Sequence, residues 1–394
     1  MSNAGWKRIS QVYQKTTVLV FNTLLALVLG ILLINGLVPS QDDLAQRESL
    51  NKGQLVPVGV NVNYSDRFNR GAYYYSSPEE VGAMLAEYDA MSLAGHWMVH
   101  PWTGLTMRPF NGKYLNIDKN GLRAGIPPNA AFANKVPLVV WAFGGSTLFG
   151  WGLADNVSIP SLLQVELQKH FPERQLQVVN FAVPIYDSSQ ELALFAANLR
   201  TDRPDVAFFF DGVNDLWFTM NANTQTALVD PLAAVWEQHT FEITHPEGGD
   251  WITFNPSFPA LRLARQLGLN SGLVGKDTFS PQYAMQGVYA PSREALLQTA
   301  INNYRANRQM ANALGDAMGV KTYFFLQPYP ADQVDFPVFR QDLTENNAVG
   351  NFYDISDLFE TVDLDGHIAL IDDFHYSDYG SQLIAERIAD KLVK

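Results

Sequence analysis

The stretch Val136-Pro137-Leu138-Val139-Val140-Trp141-Ala142-Phe143-Gly144-Gly145-Ser146 decides how the rest of the chain is read. Its apolar residues run on without alternating with polar ones, the pattern of a strand covered on both faces, and two glycines and a serine end it abruptly. Further apolar runs follow at residues 176–181, 206–210 and 320–326, with a shorter one at 368–371. Helical stretches separate them. Residues 161–170 are amphipathic, and Ser292 caps a segment in which Leu297, Ile301, Tyr304, Ala311, Leu314 and Met318 keep helical spacing until Gly319. A last helix is expected from about Tyr379 to Lys394, with Ile384, Ile388 and Leu392 on its apolar face. Strands and helices alternating in this way predict an α/β domain on a parallel sheet, spanning residues 136–394.

Residues 39–135 lack that rhythm and read as an accessory or linker region. Within them Ser77-Pro78-Glu79-Glu80 supplies an N-cap, a proline at the first helical position and a glutamate at the third. Val81, Met84, Leu85 and Tyr88 then mark one face of a helix. Residues 100–125, with Pro101, Gly104, Pro109, Gly112 and Gly121 among aromatics, read as short strands and turns. Between the third and fourth apolar runs, residues 218–289 form an insertion rich in Asn, Pro, Gly and aromatics. Excursions of that length either carry function or decorate the fold.

Composition narrows the partners. Forty acidic residues against 27 basic ones give a net charge of −13, which repels a phosphate backbone, so nucleic acid is not an expected partner. The absence of cysteine removes disulfides, thiolate metal sites and cysteine nucleophiles together. Residues 17–38 are uncharged and mostly Leu, Val, Ile and Ala, and at about 1.5 Å per residue they are long enough for a bilayer core of about 30 Å. Lys7, Arg8 and Lys15 precede them while Asp42 and Asp43 come after, which predicts a cytoplasmic N-terminus at residues 1–16, one transmembrane helix and an exported remainder, periplasmic or extracellular. A cleaved signal peptide is the rival reading. The apolar run is longer than such a peptide needs, and Val38-Pro39-Ser40 is a poor cleavage site.

Three motifs bear chemistry. Phe143-Gly144-Gly145-Ser146-Thr147 lets the backbone turn at the carboxyl edge of the sheet and exposes the Ser146 hydroxyl, although such turns also serve packing or phosphate binding. Asp211-Gly212-Val213-Asn214-Asp215 ends the third strand, where Asn214 either offers its amide to a developing oxyanion or caps the next helix together with Asp215. Asp372-Asp373-Phe374-His375 precedes the final helix, with a spacing that lets Asp372 orient one imidazole nitrogen of His375 while the other faces Ser146. His375 is one of seven histidines, and none of the others lies between an acid and a helix start after a strand. Phe149, Trp151, Tyr186, Trp217 and Phe218 crowd these motifs. Each is either core or part of a stacking platform, with Trp151, Tyr186 and Trp217 the expected substrate contacts. No ligand spacing for a metal and no full phosphate loop is present, so no cofactor is expected.

Gly144-Gly145-Ser146, Asn180, Gly212-Val213-Asn214-Asp215 and Asp372-x-x-His375 stand in the order and spacing of the four blocks of the SGNH (GDSL-like) hydrolase superfamily, which residues 136–394 resemble. The resemblance implies a flavodoxin-like three-layer α/β/α sandwich. It also implies a triad of Ser146, His375 and Asp372, with an oxyanion held by the Ser146 N–H, an N–H of the second block and the Asn214 amide. Residues 100–123 are similar to the lead-in of bacterial membrane-anchored members, many of them associated with surface polysaccharides. One departure stands out: where the family places a glycine that donates its N–H to the oxyanion, this chain has Ile185.

Two functions are therefore expected. The first is a serine-dependent ester hydrolase or O-acyltransferase acting on an acylated carbohydrate or another ester, with acetyl groups of an envelope or exported polysaccharide preferred. The second, favoured by Ile185, is an inactive relative that serves as a binding module or as a subunit of a membrane assembly.

Overall fold

A computed structural model describes residues 67–93, 96–100, 102–221, 292–329 and 334–393, all of which belong to one compact unit. The expected transmembrane helix at residues 17–38 and residues 222–289 of the insertion lie outside the described residues. Among the described residues no helix is long and apolar enough to cross a membrane.

The capping box forms as its residues predict. Ser77 N and Oγ each lie 2.9 Å from Glu80 Oε2, and Glu80 N donates back to Ser77 Oγ at 3.3 Å. Helix α1 (Pro78–Leu93) comes directly after it, burying Val81, Met84, Leu85 and Tyr88. Two antiparallel pairs come next, β1 (Trp97–His100) with β2 (Gly104–Met107) and β3 (Phe110–Asn111) with β4 (Asn116–Ile117). Arg123 joins this region to the main sheet by bridging Ile117 and Asn180. It is 2% exposed, and its guanidinium donates to the carbonyls of Phe149, Gly150 and Leu153 and to the Asp155 carboxylate. The described part of the expected accessory region is thus woven into the core of the α/β domain, and residue 136 marks no boundary in space.

Among the described residues five strands make the central sheet, namely β5 (Val136–Gly144), β6 (Arg174–Asn180), β7 (Val206–Asp211), β8 (Lys321–Leu326) and β9 (Phe352–Asp354). Their order is β6-β5-β7-β8-β9, every pair parallel, which is the flavodoxin-like arrangement. The described helices around it are α2 (Ser146–Phe149), α3 (Ile159–His170), α4 (Ser188–Asn198), α5 (Val213–Asn221), α6 (Arg293–Met318), α7 (Phe336–Glu345), α8 (Leu358–Thr361) and α9 (Asp378–Leu392). Helix α3 packs on α9, while α6 packs on α4, α5 and α7, so helices flank the sheet as the three-layer reading requires.

Aromatic rings tie the strands together across one face. Phe143, Phe209 and Phe324 sit opposite one another in register and stack at 5.0 and 5.2 Å. Phe181 extends the row at 5.1 Å, and Phe195 of α4 meets Phe143 and Phe209 edge-on. Stacked and edge-on pairs of this kind contribute about 0.5–1.5 kcal/mol each beyond the area they bury.

The expected fifth strand at residues 368–371 is corrected by the structure. The sheet edge beside β8 is taken by β9, whose Tyr353 stacks on Tyr323 and Phe325. Residues 368–371 instead pair antiparallel with residues 375–377: Leu370 bridges Tyr376, Ile371 N donates to His375 O, and Ser377 N donates to Ala369 O. Their apolar side chains were legible. Their pairing partner was not, because a short apolar run specifies burial and not which edge it joins.

Replacing Arg123 by Met takes the buried cation from Asp155 and a charged donor from the carbonyls of Phe149, Gly150 and Leu153, so unfolding in urea is expected to show a loss of about 3–5 kcal/mol. A loss below about 1 kcal/mol would mean that water reaches those carbonyls and that Arg123 is not the tie assigned to it.

Candidate active site

Ser146 opens α2 directly beyond the end of β5. The glycines before it are needed for room, not for backbone freedom, since Gly145 has φ −85° and Gly144 is not in the left-handed region. A Cβ on Gly144 would sit 2.7 Å from both Leu148 Cβ and the Phe210 carbonyl oxygen, and one on Gly145 would sit 2.6 Å from Asn214 Nδ2. The first glycine lets β7 approach and the second leaves space for the Asn214 amide.

The loop before α9 supplies the partners. His375 Nε2 lies 2.9 Å from Ser146 Oγ, and His375 Nδ1 lies 2.7 Å from Asp372 Oδ2. Asp372 Oδ1 also accepts the backbone N–H groups of Phe374 and His375 at 3.0 and 2.7 Å, so the carboxylate closes its own turn while aiming the ring. Burial pushes the Asp372 carboxyl up, but the hydrogen bond and charge of His375 and these two N–H groups outweigh it and hold the carboxyl below the usual range. The loop is tied down by residues remote from it in the chain. Asn69 N donates to Ile371 O at 2.7 Å, the Phe68 ring meets the imidazole edge-on, and Tyr376 Oη donates to the Pro328 carbonyl.

The second-block loop runs from Asn180 to α4. Ile185 adopts φ +68°, the left-handed conformation that a glycine takes without strain and a β-branched residue adopts rarely. Such strain persists only where surrounding contacts fix it, and here Phe181 N and Val183 N donate to Ala142 O and Gly144 O while Tyr186 N turns back to Val183 O. Asn214 Nδ2 donates to the Tyr186 carbonyl at 2.7 Å, which fixes the amide plane and leaves its second N–H to point elsewhere. Asn214 lies inside α5, so the capping alternative does not hold for it.

Ser146, Ile185, Asn214, Asp372 and His375 all line one cavity of about 810 Å³. Trp151 and Trp217 line it too, the first buried against Tyr88 and Phe149 and the second 48% exposed. Tyr186 does not, which corrects the substrate contact expected of it. Its ring is fully buried and its hydroxyl is engaged by Thr103 Oγ1 and the Leu105 carbonyl, because the left-handed Ile185 turns the next side chain inward. The structure adds Trp97, Tyr329 and Phe374, together with Arg67 and Asp373, to the cavity wall. Asp373 and Phe374 lie inside the Asp372–His375 motif, whereas nothing local placed Arg67, Trp97 or Tyr329 beside Ser146.

In both the order of its motifs and the geometry of its site the chain resembles the SGNH (GDSL-like) hydrolases. Solved structures to which it is similar include a protein of the G-D-S-L lipolytic family from Desulfitobacterium hafniense (13% identity, 65% of this chain and 99% of that one, TM-score 0.34). An acetyl xylan esterase (14%, 65% and 98%, TM-score 0.36) and the esterase EstA of a Pseudoalteromonas species (13%, 64% and 96%, TM-score 0.34) are others. No protein-family model and no curated protein matches the chain.

Beneath the SGNH-like site lies a group of carboxyls that sequence reasoning missed. Asp211 ends β7, Asp215 lies in α5, and Glu191 lies in α4; all three are buried. Asp215 accepts from the Ser188 hydroxyl, Asp211 accepts from the Tyr304 hydroxyl, and Asn307 donates to Ser188 Oγ at 2.8 Å. Burial first, then the charges of Asp211 and Asp215, push the Glu191 carboxyl well up. Burial and the Asp215 charge raise Asp211 to about 7, and burial raises Asp215 to about 6 against the bonds from Ser188. Crowded like charges away from water are the cause, so the group retains a proton where free carboxylates have lost theirs.

Two outcomes are expected. Gly145→Ala should lower kcat on a simple aryl acetate by about 10²–10³-fold by displacing the Asn214 amide. Its melting temperature should barely move, and unchanged kcat would detach Asn214 from the chemistry. For the carboxyl group the native state holds protons that the unfolded chain releases at about pH 4, so its contribution is fully present below that pH and is lost as pH rises towards about 7. Glu191→Gln supplies a permanent donor to Asp211, and denaturation series across that window should show a shallower fall in stability than in the wild type. Equal slopes would mean that no shared proton exists.

Proposed function

We propose that this chain is a serine-dependent ester hydrolase or O-acyltransferase of the SGNH type, acting on acetyl esters of an envelope or exported polysaccharide. The observation that carries the reading is the unbroken line from Asp372 through His375 to Ser146, at 2.7 and 2.9 Å, beside the Asn214 amide. Ser146 Oγ attacks the acyl carbonyl as His375 Nε2 takes its proton, and the carbonyl π electrons move onto oxygen. The oxyanion is held by the second Asn214 N–H and the backbone N–H groups of Ser146 and Ile185. Collapse expels the alcohol, to which His375 returns the proton. Water then releases acetate for hydrolysis, or a sugar hydroxyl takes up the acyl group for transfer.

Asp372 keeps its charge into acid and so holds the imidazole tautomer and stabilises the imidazolium formed in each half-reaction. The aromatic wall of Trp97, Trp151 and Trp217 suits the apolar face of a sugar ring. Export of this domain behind an anchor at residues 17–38 is the location that fits such a substrate.

Ile185 supports a second reading, an inactive domain that binds esters or glycans, because its side chain narrows the oxyanion pocket. Its left-handed backbone favours the catalytic reading, since that is the conformation a glycine would supply.

A fluorophosphonate probe separates the two. Wild-type protein is expected to be labelled and to release acetate from acetylated glycans or aryl acetates, and Ser146→Ala should abolish both. An unlabelled wild type that releases no acetate would leave only the binding reading.

A further inference from the structure

A second cavity of about 500 Å³ lies at the same edge of the sheet, between the end of β9 and helix α7. Its walls include Tyr329, Phe336, Arg340, Gln341, Ser356 and Glu360. Tyr329 also lines the cavity around Ser146, so the two depressions share this residue in their walls. The Tyr329 ring packs on that of Phe336 at 4.9 Å, a tilted pair that forms the ridge between them.

The floor is pre-set. Arg340 donates to Asp354 at 2.6 Å and to Asp357 at 2.8 Å, and Ser356 Oγ donates to Asp354 at 2.6 Å, which holds these groups in one array before any ligand arrives. Aromatic faces set among planar amide, guanidinium and carboxylate groups match the alternation of C–H faces and hydroxyl edges on a sugar. Asp354 and Glu360 outnumber Arg340, which is already paired, so the wall is net negative and disfavours an anionic ligand.

We infer that the catalytic cleft continues over Tyr329 into this second cavity as one groove that holds a neutral glycan chain, several sugar residues of which lie beyond the acetylated unit at Ser146. The inference deepens the esterase reading and rests on it for the position of the scissile ester. Bound in this way, the distal residues fix the orientation of the reacting unit, so the gain belongs to polymeric substrates and is absent for small esters.

The test uses the full-length protein with acetylated cello-oligosaccharides from the disaccharide to the hexasaccharide, and with an aryl acetate that reads the catalytic centre alone. Wild-type kcat/KM is expected to climb with chain length by about tenfold or more, and Gln341→Ala and Glu360→Ala to remove about tenfold of that climb. No climb in the wild type, or a climb that survives in both variants, overturns the groove while aryl acetate turnover still upholds the esterase. Should the protein prove inactive on every ester, calorimetry with unacetylated cello-hexaose decides instead. Binding weakened about tenfold or more in both variants keeps the groove, and absent or unaltered binding removes it. Oligogalacturonate of the same length is expected to bind at least about tenfold more weakly, and equal or tighter binding overturns the neutral-glycan assignment.

Discussion

Parallel pairing of β5 with β7 is the constraint on which the rest of the site depends. It sets Gly144 opposite Phe210, so the residues just beyond each strand, Ser146 on one and Asn214 on the other, emerge at the same edge. β5 has β6 on one side and β7 on the other, and the crevice beyond their carboxyl ends is where the connections diverge. The stacked row of Phe181, Phe143, Phe209 and Phe324 makes that pairing rigid, because no ring in it can shift without opening a void beside the next.

The histidine arrives by a different route. Its loop extends from no strand of the main sheet, and it is held by the Asn69 and Tyr376 hydrogen bonds and by the clamp of Tyr74 N and Tyr75 N on the Asp378 carboxylate. Residues far away in the chain thus fix the imidazole within bonding distance of Ser146. For the proposed acyl transfer, placing the hydroxyl, the imidazole and the carboxylate before a ligand arrives would lower the entropy cost of reaching the transition state. The same crowding has a consequence beneath the site, where Glu191, Asp211 and Asp215 share space too dry for three charges.

Sequence reasoning read what is local. Four strands, the capping box at Ser77, the cap at Ser292 with its closing Gly319, and the final helix are encoded within a few residues of where they form, and they stand where they were expected. The spacing of Asp372 and His375 was sufficient for the same reason, since their contact closes within one turn. The edge strand was not legible, because Phe352–Asp354 carries too short a pattern and its place is decided by Tyr323 and Phe325 on another strand. Nor was Tyr186, whose direction depends on a left-handed neighbour.

The amino-acid sequence by itself determined the alternation that makes an α/β domain, the residue types of the line from Asp372 through His375 to Ser146, and the unusual isoleucine at position 185. Tertiary structure alone decided which strand closes the sheet, why Gly144 and Gly145 carry no side chains, which aromatics line the cleft, and that Tyr329 joins it to a second cavity. Periodicity and capping act over a few residues and can be read along the chain. Close approach, edge selection and the shape of a groove arise between segments remote in sequence, and only folding brings those segments into contact.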